Sequence, residues 1–169
     1  MTMTEAKRPI GLPKGVTIRR YQPTDYDDVW RLHLEGVRQT RSIHPEPLPG
    51  YEDDLQSIEE TYLSEGSNFW VVDSPDGLIG MAAIQRIDER TARIRRMRVT
   101  ETWRRRGVAQ ALVDTAEAFC RDCGYTTLIL DTTEQQTAGQ ALYERSGFHK
   151  TGERMIGPFR VFDYVKDLG

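Results

Sequence analysis

Three consecutive arginines stand directly before a glycine in the segment VTETWRRRGVAQALVD, residues 99–114. An apolar pattern with helical spacing begins right after Gly107, so residues 104–106 precede the first turn of a helix. That turn carries four unpaired N–H groups and a partial positive charge, which makes three adjacent cations unfavourable unless an anion binds there. Gly107 has no Cβ to block the backbone, and Ala109 keeps the turn narrow. The pattern Arg-x-x-Gly-x-Ala therefore predicts a pyrophosphate site; the alternative is a solvated basic helix start.

Composition and motif content argue against several other functions. The segment lacks the Lys-Ser/Thr pair of the Walker loop and the G-x-G-x-x-G of dinucleotide-binding turns. The formal net charge of −3 and the pI near 5.7 give no overall attraction to nucleic acid or to a membrane surface. No apolar run approaches the roughly 18 residues that a membrane-spanning helix needs. The polar start, MTMTEAKRPIGLPKG, has no apolar core of the signal-peptide kind, so we expect a cytoplasmic protein.

The elements around this segment predict one domain that begins after a short tail. Apolar and polar spacing gives the order β, α, α, β, β, β, α, β, α, β, β, without internal repeats or a linker. We therefore expect a flexible tail over residues 1–14 and a single domain over residues 15–169. A proline-rich loop, RQTRSIHPEPLPG, joins the first two helices. The stretch YEDDLQSIEETYLSEG is interpreted as the second helix, with Leu55, Ile58 and Tyr62 on one side.

The strand TARIRRMRV carries a phase error in its apolar pattern. Ile94 is even-numbered while Met97 and Val99 are odd-numbered, so strict alternation cannot place all three on one face. One extra residue near Arg95 or Arg96 would restore a common face, which predicts a β-bulge at this point. The helix between this strand and the central strand YTTLILD implies that these two strands are parallel, inside an otherwise antiparallel sheet.

Two motifs, taken together and in this order, resemble the GNAT superfamily of acyl-CoA-dependent N-acyltransferases. In MRVTETWRRRGVAQAL, the residues Arg104, Gly107 and Ala109 match its pyrophosphate loop, Q/R-x-x-G-x-G/A. The stretch ALYERSGF matches its late helix, L-Y-x-x-x-G-F, and places Tyr143 at the tyrosine. The resemblance implies an α+β fold of three layers. Its mixed, mostly antiparallel seven-stranded sheet would have helices on both faces and a bulged fourth strand that splays from the parallel fifth.

The resemblance also implies that acetyl-CoA is the acyl donor and lies along this splayed edge. The main chain of the bulged strand would pair with the pantetheine arm, and the N–H groups that open the next helix would hold the pyrophosphate. The cofactor-binding residues implied in this way are Met97, Arg98, Val99, Arg104, Arg105, Arg106, Gly107, Val108, Ala109, Gln110 and Gln136. Gln136 stands where the family often has asparagine, and it could equally form a capping box with Thr133. No metal ion is implied.

Acetyl transfer to an amine needs a neutral amine, a held carbonyl oxygen and a protonated leaving thiolate. By resemblance, the N–H of Val99 would polarise the carbonyl and the Tyr143 hydroxyl would act as general acid; the alternative is that Tyr143 is a packed core residue. The glutamate that some members use as general base is absent, and Arg93 stands near its place. Asp131 at the end of the central strand is the first candidate base and His44 the second, and each could instead be structural. A water relay would suffice for a peptide α-amine, whose pKa is about 8.

The acceptor is predicted from arginines expected near the cleft. In this fold the loop between the first two helices borders the acceptor side, and here it brings Arg38, Arg41 and His44. The bulged strand adds whichever of Arg93, Arg95 and Arg96 turns inward. Because a guanidinium binds a carboxylate in a bidentate way, we expect an acceptor with both an amine and a carboxylate. The rivals are a protein N-terminus or a polyamine, with acidic YEDDLQSIEE at the entrance, and arginines that are simply solvated.

Three functions therefore compete. The first is an acetyl-CoA-dependent N-acetyltransferase that acts on a small-molecule or peptidic primary amine. The second is a non-catalytic acyl-CoA-binding module, which the missing base would allow. The third is nucleic-acid binding by the arginines of RIRRMRV and WRRRG, which the acidic total charge and the lack of interleaved aromatic residues disfavour. We expect a monomer or homodimer that contacts neither nucleic acid nor membrane.

Overall fold

A computed structural model describes residues 11–169, which form a seven-stranded sheet with helices on both faces. The strands are β1 (Thr17–Arg20), β2 (Asn68–Ser74), β3 (Gly77–Arg86), β4 (Thr91–Val99), β5 (Thr127–Thr133), β6 (His149–Ile156) and β7 (Phe159–Asp167). The helices are α1 (Tyr26–Gly36), α2 (Arg38–Ile43), α3 (Asp53–Gln56), α4 (Ile58–Tyr62), α5 (Val108–Asp122) and α6 (Thr137–Arg145). Of the tail expected over residues 1–14, residues 1–10 lie outside the described part, and Leu12 packs against the core.

The sheet is mixed, as the sequence predicted. Its strands lie in the order β1-β2-β3-β4-β5-β7-β6. Each neighbouring pair is antiparallel except β4 and β5, which are parallel because α5 carries the chain back between them. The predicted fold class is therefore confirmed.

The parallel pair separates soon after it starts. Pairing between β4 and β5 covers only Thr91–Arg93 with Thr127–Ile129. β5 goes on pairing with β7 as far as Thr133, and β4 goes on pairing with β3 as far as Val99. The last six residues of β4 therefore have no β5 partner, which confirms the predicted splay and opens a gap in the sheet.

The predicted bulge lies at Arg96 and Met97. Arg98 pairs with Met81 and Arg95 pairs with Ala83, so two residues of β4 oppose the single residue between them on β3. Arg96 has a φ of 56°, in the left-handed region that a non-glycine residue rarely adopts. The extra residue restores the apolar phase: Ile94, Met97 and Val99 all pack in the core on the α5 side. The side chain of Arg96 is buried outside that core, against Asp54 of α3.

Helices cover both faces of the sheet. On one face, α5 and α6 bury Leu112, Ala116 and Leu142 against the β4 and β5 side chains. On the other face, α1, α3 and α4 bury a separate cluster that includes Leu32 and Tyr62. The gap between β4 and β5 lies between these two layers, so it receives side chains from both.

Two helical segments differ from the sequence prediction. The expected loop RQTRSIHPEPLPG begins as the helix α2, which follows α1 almost directly. The helix ends at Ile43, because His44, the residue before Pro45, is in an extended conformation. The expected single helix over residues 51–66 is broken at Ser57 into α3 and α4. The break lets the Tyr62 hydroxyl donate to the Asp54 carboxylate, although eight residues of straight helix span about 12 Å.

Candidate functional site

The gap between β4 and β5 opens into a cleft of about 790 Å³. Its walls are the end of α1, the loop after α2, the end of β4, the first turn of α5, the end of β5, α6 and the β6–β7 turn. Among the residues predicted from the sequence, the cleft brings together Arg41, His44, Met97, Arg98, Val99, Arg104, Arg105, Gly107, Val108, Ala109, Gln110, Asp131, Gln136 and Tyr143. Arg106 and Arg38 do not line it.

The start of α5 presents unpaired backbone N–H groups to the cleft. The first intrahelical bond runs from the N–H of Ala111 to the carbonyl of Gly107, which leaves the preceding N–H groups of the first turn without helical acceptors. Gly107 has a φ of 81° and Arg105 a φ of 61°, so the chain turns sharply before the helix begins. No acidic side chain lies in the first turn. Free N–H groups arranged in this way can bind an anion.

The three arginines before Gly107 have separate places. Arg104 donates from Nε to the carbonyl of Val99 at 3.2 Å and lines the cleft, as does Arg105. Arg106 turns away and places its guanidinium 4.7 Å from the centre of the Trp103 ring. Repulsion among the three is relieved because one stacks on an aromatic ring, and two remain beside the helix start.

The free edge of β4 faces the cleft with main-chain groups. The N–H of Thr100 donates to the carbonyl of Ile79 at 2.8 Å, on the β3 side. Successive residues of a strand direct their N–H groups to opposite sides, so the N–H of Val99 points away from β3 and into the gap. Met97, two residues earlier, has the same orientation. These groups have no β5 partner.

Tyr143 lies in α6 at the inner wall of the cleft. Its side chain is buried, with Phe148 and Tyr164 as ring neighbours. Burial raises the pKa of Tyr143 to about 12, although the nearby Arg98 charge acts in the opposite direction. The hydroxyl therefore stays protonated at neutral pH. In the described residues it has no hydrogen-bond partner, so it is free to donate into the cleft.

Asp131 and Gln136 line the cleft but are engaged elsewhere. The Asp131 carboxylate accepts from Arg154 Nη2 at 2.7 Å on the exposed side of the sheet. The Gln136 Oε1 accepts from the Thr132 hydroxyl at 2.8 Å and from the N–H of Thr133 at 3.0 Å. Gln136 therefore reaches back to the end of β5, but it is itself the N-cap of α6 and the Thr133 hydroxyl has no partner among the described residues, so the capping box considered from the sequence does not form.

The arginines expected on the acceptor side are mostly neutralised. Arg41 forms an ion pair with Glu52, which also accepts from the ring of His33. Arg38 lies in a separate shallow depression beside α1. His44 stays at the cleft mouth, where its Nδ1 contacts the carbonyl of Glu46.

Asp54 neutralises the arginine at the bulge. Arg96 binds it through two hydrogen bonds, Nε–Oδ2 at 2.9 Å and Nη2–Oδ1 at 2.6 Å, and both side chains are buried. Burial alone would raise the pKa of Asp54, but the hydrogen bonds from Arg96 and Tyr62 hold it below its ordinary value. Arg95 is 3.8 Å from the same carboxylate. The acidic stretch expected at the entrance thus pairs with arginines of this chain.

The side chain of Arg98 is the part of the site that the sequence did not indicate. It projects from β4 past Gly36 at the end of α1 and lines the cleft near Tyr51 and Tyr143. Only its main chain had been expected to take part. The strand alternation could have shown that Arg98 and Arg96 point away from the α5 side, but not which of them α3 would neutralise.

Residues 11–169 contain no group of three or more His, Cys, Asp or Glu side chains placed to hold a metal ion. Each helix in this range falls short, in length or in apolar character, of what a bilayer-spanning helix requires.

Solved structures with this fold are known. An acetyltransferase of the GNAT family from Staphylococcus aureus Mu50 superposes with a TM-score of 0.81 at 19% identity, covering 91% of this chain and 99% of that one. A Salmonella typhimurium protein, described as an acetyltransferase with its cofactor acetyl-CoA, has a TM-score of 0.70 at 15% identity, covering 92% and 95%. At these identities the likeness concerns the fold.

Similarity in sequence gives the family. Human N-acetyltransferase 8 is 42% identical over 106 residues, which are 59% of this chain and 47% of the human protein. The chain thus spans about half the length of the curated relatives it matches. The model of the acetyltransferase (GNAT) family matches residues 28–148, most of the chain. The chain therefore belongs to the GNAT family of acetyltransferases.

Proposed function

We propose that the chain transfers the acetyl group of acetyl-CoA directly to the primary amine of a small molecule. The observation that carries this proposal is the meeting, in one cleft, of the free β4 edge, the unpaired start of α5 and a protonated tyrosine. Each of these provides one of the groups that acyl transfer needs: strand pairing, anion binding and proton donation.

The residues at the start of α5 and along β4 fit acetyl-CoA. A Cβ at Gly107 would lie 3.3 Å from the carbonyl oxygen of Gly11 and would project from a backbone with positive φ, so a side chain is disfavoured there. In the cleft wall, the buried Thr133 Oγ1 and Gln135 Oε1 have no partner among the described residues and can accept from a ligand N–H. We propose that Arg104 and Arg105 add charge beside the pyrophosphate.

Bound acetyl-CoA supplies an acetyl group as a thioester. In our proposal the N–H of Val99 holds the carbonyl oxygen while negative charge grows on it. As the bond from carbon to sulfur breaks and the bond from carbon to nitrogen forms, Tyr143 donates to the departing sulfur. Because its pKa is about 12, the hydroxyl is protonated throughout the neutral range. In this proposal it donates a hydrogen bond to the departing thiolate before the proton is transferred.

The proton of the attacking amine leaves through water in this proposal. The sequence candidates for the base do not favour direct abstraction, since Asp131 is ion-paired to Arg154 and His44 lies at the cleft mouth. The reaction then depends on the fraction of acceptor that is neutral, which favours amines with a pKa of about 8 over lysine-like amines near 10.4.

The shape of the acceptor side favours a small molecule over a protein N-terminus. The loop after α2 reaches the β6–β7 turn: the rings of His44 and Phe159 are 6.4 Å apart, and Leu48 packs so closely on Gly157 that a Cβ there would be 3.0 Å from its Cδ2. This contact bridges the cleft mouth where an extended peptide would enter.

The test is release of free thiol from acetyl-CoA in the presence of a library of amines, with the acetylated amine identified by mass spectrometry. We expect release that depends on the amine. If CoA binds in calorimetry but no amine stimulates thiol release, the non-catalytic acyl-CoA-binding module is the correct function. If only peptides are acetylated, the small-molecule acceptor is wrong. The cytoplasmic location and the monomeric or homodimeric state stay predictions.

A further inference from the structure

Unlike Arg41 and Arg96, which also line the cleft, Arg98 has no carboxylate partner among the described residues. Arg41 is paired with Glu52 and Arg96 with Asp54. Within residues 11–169 no Asp or Glu lies within ion-pair distance of Arg98. Its partners are neutral groups: the Tyr51 side chain and, at a long 3.4 Å, the carbonyl of Met97. Its Nε is enclosed and has no partner.

This unpaired cation is held in place by the fold. Burial lowers the pKa of Arg98, and the neighbouring Arg96 charge acts in the same direction. A Cβ at Gly36 would lie 2.3 Å from both Cδ and Nε of Arg98, so the side chain fits only because α1 ends in glycine. Gly36 has an ordinary helical backbone that any residue could adopt. Glycine is needed there because a side chain would occupy the space that Arg98 fills.

We infer that Arg98 binds the carboxylate of the acceptor, so that the substrate class is a primary amine that also carries a carboxylate, as amino acids and their derivatives do. Arg98 is half-buried with no anion beside it, and a carboxylate would satisfy its planar fork in a bidentate way. The inference rests on the proposed acetyl transfer at the same cleft. It assigns the carboxylate contact to Arg98 in the cleft wall, whereas the sequence had predicted Arg38 and Arg41 for that contact.

The position of Arg98 suits an acceptor that must also reach the acetyl group. Arg98 is adjacent in the strand to Val99, whose N–H points into the gap, and it lies near Tyr143. A short amine that is anchored by its carboxylate at Arg98 is held beside both groups. A polyamine would instead bring positive charge against an unpaired cation.

The experiment compares matched substrates in wild type and variants. For each amino acid of a panel, kcat/KM is measured with the free amino acid and with the corresponding amine that lacks the carboxylate. We expect wild type to prefer the carboxylate-bearing partner by roughly 100-fold or more. Arg98→Met should lose most of this preference, because the rate with the carboxylate-bearing amine should fall much further than the rate with its decarboxylated partner. Arg98→Lys should restore part of the preference.

Two further variants separate this role from general damage. Gly36→Ala replaces glycine with a better helix former in α1 but displaces Arg98, so it should also reduce the preference. Arg31→Met, an exposed arginine of α1 outside the cleft, should leave the preference unchanged. Calorimetry with the N-acetyl amino acid product, in the presence of CoA, should show weaker binding to Arg98→Met than to wild type.

The outcomes distinguish the inference from the proposed function. Amine-dependent thiol release without a carboxylate preference in wild type overturns the inference and leaves the function standing. An equal loss for both members of each pair in Arg98→Met, or an unchanged preference, also overturns it. Thiol release with no amine at all overturns the proposed function, and the inference with it.

Discussion

The two sides of the cleft are built in different ways. On the α5 side, the groups that face the cleft belong to the backbone: the N–H groups of the α5 start and the β4 edge beyond Arg93. On the α1–α3 side they belong to side chains, and most of these are paired across elements, as in Arg41 with Glu52 and Arg96 with Asp54. Arg98 is left over from this pairing.

The difference shows which kind of site a local sequence can specify. A backbone site needs only a glycine, a bulge and a helix start, each of which leaves a signal within a few residues. A side-chain site depends on which charges cancel, and the partners here are 42 residues apart for Asp54 and Arg96. We therefore expect variants on the α5 side to affect ligand binding, and variants on the α1–α3 side to affect stability or specificity.

The largest effect is expected for Gly107→Glu. The new side chain starts from a backbone with φ of 81° and places negative charge at the start of α5, so we expect CoA affinity to fall by about 1000-fold or more, measured by calorimetry. Gly124→Glu is the matched control, since Gly124 has a φ of 83°, open space around it and a place just beyond the other end of α5. Equal CoA affinity in a folded Gly107→Glu protein would refute the pyrophosphate site.

The next largest effect is expected for Asp54→Ala. Removing this carboxylate leaves Arg96 buried and unpaired, which should lower the free energy of unfolding by about 3–5 kcal/mol in urea denaturation. Asp53→Ala, one residue earlier and exposed, should change it by less than about 0.5 kcal/mol. If the two variants are equally stable, the ion pair does not stabilise the acceptor side.

Tyr143→Phe tests the proposed proton donor, which lies at the inner wall of the cleft between its two sides. Loss of the proposed donor should lower kcat by about 10- to 1000-fold with little change in acetyl-CoA affinity. Tyr164→Phe is the control, because Tyr164 is a buried neighbour whose hydroxyl donates to Glu144 at 3.1 Å. Full turnover in Tyr143→Phe would mean that water protonates the thiolate and that Tyr143 only packs.

The smallest effect is the pH dependence contributed by His33. Burial lowers the pKa of His33 to about 4, despite the hydrogen bond to Glu52, and Arg96 and Arg98 act in the same direction as burial. The unfolded chain binds this proton near its usual pKa of about 6.5, so the stabilisation is complete above that value and is lost as pH falls towards 4.

Between pH 7 and pH 5 we expect wild type to lose about 2 kcal/mol more unfolding free energy than His33→Gln, which keeps a donor for Glu52. Urea denaturation at the two pH values measures it. An identical loss in both proteins would show that His33 is not buried in its neutral form.

The sequence predicted the backbone features of the α5 side better than the side-chain pairing of the α1–α3 side. The phase error among Ile94, Met97 and Val99 was sufficient to predict the bulge, and Gly107 was sufficient to predict the helix start. The α2 helix and the break at Ser57 were missed because tertiary contacts, such as Tyr62 with Asp54, override the local pattern. Arg98 could not be separated from its neighbouring arginines, since that required knowing which arginine the acidic stretch would neutralise.

The most direct test of the claim that backbone groups bind the cofactor is backbone hydrogen exchange with and without CoA, followed by mass spectrometry. CoA lacks the acetyl group, and without an amine the acceptor side stays empty. We predict slower exchange in peptides that cover residues 97–99 and 107–111, and unchanged exchange over residues 38–56. Slowing confined to residues 38–56, or no slowing anywhere at saturating CoA, would contradict the proposal that the backbone of β4 and α5 binds the cofactor.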